Sequence, residues 1–284
     1  MIGTGPTRIY TPQSRLRRPG TLVSEMFRDM CDSHELARRL AARDIAAQYR
    51  QTALGVFWVF LLPVANTLVW LFLRSGGVVD VGETSVPYVV YVFSGTVLWT
   101  ILSDAVNAPL AQAANARAML VKVNFPREAL ILSGVYQTLF NALIRIAVLI
   151  PAVLALGVQA SWSLALFPVA VLSIVIAGTA IGLLLTPPGL LYTDVGKSLP
   201  LLMQFLMYLS PVVFPMPGGG IAARIFEINP LTPLIVTARD WLVGTPAVHV
   251  GHFTAVTLAM LLMLLMVGLL YRLAMPILIE RMGS

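Results

Sequence analysis

From Ala129 to Thr193 the sequence carries one charged residue, Arg145. A run of that length would leave a soluble domain largely unwetted. It suits two helices crossing a hydrocarbon layer of about 30 Å, each needing about 20 apolar residues at 1.5 Å of rise. Gly157, Gln159, Ser161 and Trp162 interrupt the aliphatic run and mark the turn between them. Residues 51–73 and 84–103 contain no Asp, Glu, Lys or Arg, and each reads as one further crossing. Residues 198–223 are also charge-free, but Pro200, Pro211, Pro215, Pro217 and three consecutive glycines end a fifth span near Met216. A sixth lies within 241–271, from about Phe253. Composition agrees: 58% of the 284 residues are hydrophobic and 11% charged, against about 25% charged in a soluble domain. The fold class expected is all-α integral membrane with six transmembrane helices.

Orientation follows from Lys and Arg in short loops. Nine arginines precede the first span, residues 107–128 add Arg117, Lys122 and Arg127, and Lys197, Arg272 and Arg281 bring that side to fifteen. The other side holds Arg74, Arg224 and Arg239. Both termini are therefore expected on the cytoplasmic side of a multi-pass membrane protein. Residues 1–50 form a cytoplasmic part and 51–284 the six-helix domain. Residues 1–20, with three prolines and four arginines, read as a mobile basic tail. Asp32 or Ser33 is placed to cap a helix running to Arg50, with Leu36, Leu40, Ile45 and Tyr49 on one face: an amphipathic interface helix. Residues 107–128 read as a loop with a short helix, started near Pro109 and ended by Phe125-Pro126. Residues 211–244, outside, are too long and apolar for a simple loop and suggest partly re-entrant pieces.

Several chemistries are excluded by spacing. Gly196-Lys197-Ser198 resembles the end of a phosphate-binding loop, but Gly189 leaves six intervening residues where the motif needs four, and no strand precedes it. His34, His249 and His252 have no carboxylate cluster beside them, so no metal site is expected. Cys31 is the single cysteine and forms no intrachain disulfide. The first fifty residues lack the apolar core of a cleavable signal peptide. The net charge of +6 sits beside the spans, where anionic lipid attracts it, and points to membrane rather than nucleic acid.

Arg145 is the one charge deep in a span; it either snorkels to the outer interface or lines a cavity or gate. Counted along regular helices, Asp104 falls near the cytoplasmic end of the second span and out of its reach. Phe57, Trp58, Phe60 and Trp99 sit deeper than an interfacial belt requires, and either fill helix contacts or offer a stacking surface along a channel. A metal-dependent transferase would need an acidic cluster on a cytoplasmic loop, and these loops hold only Glu128 and Asp194. A secondary transporter would need midplane carboxylates and internal repeats, and neither is visible.

Four stretches resemble one family. They are RDIAAQYRQTALGVFWVFLLPV (43–64), LVKVNFPRE (120–128), YTDVGKSLPLLMQFLMYLSPVVFP (192–215) and INPLTPLIVTARDWLVG (228–244). Together they look like the permease subunits of type-2 ABC polysaccharide exporters of the O-antigen, capsule, teichoic-acid and galactan kind. Thr193 departs from the pattern, where an Arg is expected before the Asp. The resemblance implies a non-enzymatic subunit that forms a homodimer and joins two copies of a separate ATPase, which binds the ATP and Mg; no cofactor is expected in this chain. The cargo it implies is a polyprenyl-pyrophosphate-linked glycan. Arginine outnumbers lysine seventeen to two, which suggests a GC-rich genome and adds a cell-wall galactan to O-antigen as cargo. A type-2 exporter of a drug, lipid or protein is the alternative. ATP energy must then enter through cytoplasmic elements: the helix with Arg43 and Arg50, and above all the loop with Arg117, Met119, Leu120, Lys122, Phe125, Pro126 and Arg127, apolar at its centre and charged at its rim.

Overall fold

The computed structural model describes residues 19–50, 55–79, 81–122 and 126–283. Most of the expected basic tail, and Phe125, lie outside them. Among the described residues there are eleven α-helices and no strand: α1 (Pro19–Asp32), α2 (His34–Arg50), α3 (Trp58–Ser75), α4 (Tyr88–Asn115), α5 (Arg117–Lys122), α6 (Glu128–Ala155), α7 (Phe167–Leu191), α8 (Thr193–Tyr208), α9 (Gly220–Ile228), α10 (Leu231–Val243) and α11 (Val250–Gly283). The chain is a multi-pass helical bundle.

Helix α4 is the centre of the bundle. Leu98, Ile101, Leu102 and Ala105 are at most 1% exposed, with α3, α6, α7 and α10 packed around them. Contact with α7 is close because Gly178 and Gly182 face it. A Cβ at Gly182 would overlap the Val106 carbonyl, and one at Gly178 the Ala105 methyl. Small residues four apart are how helices approach in lipid, where burial from water no longer drives association. Pro109, expected near a helix start, instead lies inside α4. Its ring lies against Gly182, with Cδ 3.1 Å from where a Cβ there would be.

By length and apolarity, α4, α6, the segment Trp162–Leu191 containing α7, and Val250–Arg281 of α11 can each cross a bilayer. The pair α9 and α10, bent by 84°, makes a fifth if counted as one span. The two remaining expected spans are shorter. The apolar part of α3 covers Leu61–Ser75, because Gly55, at φ +50°, and a 3₁₀ turn Gly55–Phe57 use up the beginning of that stretch. Helix α8 has 16 residues, about 24 Å at 1.5 Å each, and stops before Pro211.

The two ends of the bundle differ in chemistry. At one, Arg272 of α11 pairs with Asp29 of α1 at 2.5 Å and Glu128 of α6 at 3.4 Å. At the other, the Arg74 guanidinium lies 4.4 Å over the Tyr88 ring, and Ser163 Oγ donates to the Trp241 carbonyl. Helix α1 was not expected; with Pro19 at its first position, where the missing N–H costs nothing, it continues almost directly into α2. Ser33 does not cap α2: its hydroxyl donates back to the Asp29 carbonyl.

Candidate functional site

Helices α2, α3, α4 and α6 line an open cleft of about 410 Å³ with both polar and apolar side chains. Its floor comes from α6, where Gln137, Asn141 and Arg145 recur every four residues and so share one stripe of the helix. Asp104 and Asn107 of α4 face that stripe, Gln48 and Tyr49 close it from α2, and Trp58, Val59 and Leu62 form the wall on α3.

The polar groups are wired across helices. Gln112 Nε2 donates to Gln137 Oε1 at 2.9 Å, and Gln137 Nε2 donates on to Gln48 Oε1 at 3.2 Å, so one amide chain ties α4, α6 and α2. Tyr49 donates to Asn141 Oδ1 at 2.9 Å. His34 Nδ1 is hydrogen-bonded to the Tyr136 hydroxyl at 2.6 Å and anchors the start of α2 on α6. Helix α2 thus turns its buried Ala37, Leu40 and Ala41 inward and leaves Arg38, Arg39, Arg43 and Arg50 exposed. On that outer face Glu35 accepts from Arg39 at 2.8 Å, and Arg39, then Arg38, hold its carboxyl below its usual range.

Arg145 neither snorkels nor stands alone. Its Nη1 donates to Asp104 Oδ2 at 2.6 Å, its Nε donates to the Val59 carbonyl at 3.2 Å, and the residue is 7% exposed. The expectation that Asp104 lies out of reach is overturned, and the reason is helix length. Helix α4 does not end near Ser103 but has 28 residues and runs through Asn115. That puts Asp104 roughly 17 Å from its end, against roughly 26 Å for Arg145 from the start of antiparallel α6. The long arginine side chain covers the remainder.

Of the aromatic residues expected along a channel, Trp58 joins Arg145 in the cleft. Phe57 points outward, 47% exposed, and Trp99 is buried in the core at 4%. The side chain of Phe60 is outside what the structure describes. Among the residues expected to receive force from an ATPase, Arg117 and Pro126 are exposed, Met119 and Arg127 half-buried, and Leu120 is packed into the chain's own core. The Lys122 side chain and Phe125 are not described. Arg43 is exposed and paired with Asp44 at 2.8 Å, and Arg50 is exposed at the end of α2.

Arg239 differs from its expected place in an outer loop. It is 3% exposed on α10; Nη2 donates to the carbonyls of Pro211 at 2.8 Å and Val212 at 3.1 Å, and the guanidinium stacks 3.7 Å from the Tyr91 ring centre. What had read as a loop is a folded helix packed on α4 and α7, so its arginine is enclosed.

The chain is 24% identical over 216 residues to the O-antigen export system permease protein RfbA of Myxococcus xanthus, covering 75% of this chain and 82% of that protein. This likeness bears out the resemblance to polysaccharide-exporter permeases drawn from the four stretches. No family model matches the chain.

Proposed function

We propose that this chain is the channel-forming permease subunit of an ABC transporter that exports a polyprenyl-pyrophosphate-linked polysaccharide, of the O-antigen or cell-wall galactan type, across the cytoplasmic membrane. The observation that carries this reading is the likeness to an O-antigen export permease across three quarters of the chain. Two copies of the chain and two copies of a separate ATPase make the working unit; ATP and Mg bind on the ATPase, and this chain hydrolyses nothing. On this reading α3 and α8 join α4, α6, α7 and α11 as six crossings, the bent pair α9 and α10 is re-entrant, and both termini lie in the cytoplasm. The distribution of Lys and Arg, fifteen on that side against Arg74 and Arg224 on the other once Arg239 is enclosed on α10, supports that orientation.

Depleting the chain in its own host tests the reading. One lipid-linked glycan is expected to accumulate inside the cell while its mature form disappears from the surface. Unchanged glycan pools, or accumulation of a drug or a protein instead, would favour the alternative of a different type-2 exporter.

Coupling to the ATPase falls to α5 and the turn that follows, with α2 assisting through Arg43 and Arg50. Leu120, with Met119 beside it, packs this element on the bundle, and the contact assigned to the ATPase is Arg117, Met119, Lys122, Phe125, Pro126 and Arg127. The locked φ of Pro126 sets the angle at which force reaches α6. Phe125→Ala is expected to lower glycan export at least tenfold while the chain still inserts and dimerises. Wild-type assembly, ATP turnover and export together would remove this element from the coupling path.

A further inference from the structure

We infer that the cleft between α2, α3, α4 and α6 is a binding site for a neutral, hydroxyl-rich ligand, namely a sugar residue. The choice of a sugar over another polyol rests on the exporter reading above. Charge points first to neutrality: among the described residues that line the cleft Arg145 is the one cation, and it is already closed by Asp104. Among these residues a phosphate would find no unpaired positive group. Unused hydrogen-bonding capacity comes second. Thr138 and Asn141 line the cleft and are 2% and 7% exposed. Among the described residues neither the Thr138 hydroxyl nor the Asn141 amide nitrogen has a protein partner, yet neither atom is sealed from the cleft. Polar groups that open on a space of about 410 Å³ without a protein partner can exchange water for a ligand group that both donates and accepts, as hydroxyls do.

Trp58 adds the second element of sugar recognition. It is half-exposed on the cleft wall, and a flat indole suits the apolar face of a pyranose ring. An acyl chain would leave Thr138 and Asn141 unsatisfied, and a free anion would lie against the Asp104 carboxylate. In a bound sugar, the Asn141 NH₂ donates to a ring hydroxyl, the Thr138 hydroxyl donates or accepts, and the ring lies on Trp58. The Asp104–Arg145 pair keeps the stripe of α6 facing the ligand and acts as a positioning pair.

The test is saturation-transfer NMR on the full chain in lipid nanodiscs with millimolar methyl glycosides of galactose, rhamnose and mannose, and with glycerol and inorganic pyrophosphate as controls. At least one glycoside is expected to bind. Trp58→Ala and the isosteric Asn141→Asp, which cannot donate at that nitrogen, should each weaken it at least tenfold. Trp58→Phe should retain part of the affinity and confirms that the wall tolerates substitution, while pyrophosphate should not displace the sugar. The inference is overturned if no glycoside binds, if glycerol binds as well as the glycosides, if pyrophosphate competes, or if Asn141→Asp and Trp58→Ala leave binding unchanged. Export and site are separable. Glycan accumulation on depletion without glycoside binding removes only the site, whereas binding without accumulation removes only the export reading.

Discussion

Asp104→Leu is expected to destabilise the bundle severely, while Asp104→Leu combined with Arg145→Leu recovers most of the loss. The single change leaves the Arg145 guanidinium, 8% exposed at its side chain, with only the Val59 carbonyl as acceptor. Removing one partner of a buried ion pair costs about 3–5 kcal/mol, whereas replacing both by well-packed apolar residues is often neutral. Arg145→Leu should do less harm than Asp104→Leu, because the Asp104 side chain is 33% exposed to the cleft and water there solvates the orphaned carboxylate. Thermal aggregation of the detergent-solubilised chain orders the three variants. A double variant as unstable as Asp104→Leu would show that the pair is not the source of the effect.

Releasing Arg239 is expected to have an effect of similar size. The residue joins three pieces that no other described side chain joins in this way: α10, the turn after α8 through the Pro211 and Val212 carbonyls, and α4 through Tyr91 and Ser94 Oγ at 3.3 Å. Tyr91 reinforces the turn by donating to the carbonyls of Pro211 and Phe214, both at 3.2 Å. Hydrogen bonds to a charged group contribute about 1.5–3 kcal/mol and a desolvated cation–π contact about 2. Arg239→Ala should therefore cost on the order of 3 kcal/mol or more. Arg239→Lys should recover only part, because an ammonium cannot stack on Tyr91 while reaching both carbonyls. Gly95→Ala should reproduce the loss with Arg239 intact, since a Cβ at Gly95 would overlap both its Nη2 and the Val212 carbonyl. Hydrogen exchange over residues 209–217 reads the result: faster exchange in all three variants is expected. Unchanged protection in Arg239→Ala would mean that the turn is held without it.

Both arginines show what was legible in the sequence and what was not. Apolar runs located the helices well: the interruption at 157–162 separates α6 from α7. The Pro/Gly-punctuated segment 211–244 contains α9 and α10, bent against each other. Charge was the poorer guide. In sequence Asp104 reads as the end of a span and Asn107 as the start of a loop, yet α4 carries both within its length, because a polar residue facing other helices costs a span far less than one facing lipid. Arg239 was counted as an outer charge because its acceptors, backbone carbonyls and a tyrosine ring, leave no mark as a charged partner in sequence. One signal for the cleft was present: Gln137, Asn141 and Arg145 recur every four residues along an otherwise apolar helix, the pattern of a polar stripe turned inward.

The central claim, that the chain conducts a lipid-linked glycan outward, is tested most directly by reconstitution. The chain and its ATPase are placed in proteoliposomes loaded on one leaflet with the glycan that accumulates on depletion, and the opposite leaflet is probed with a membrane-impermeant lectin. The account predicts that lectin binding appears only with ATP and Mg and only when this chain is present. Hydrolysis that proceeds while the glycan stays on its starting leaflet would contradict it.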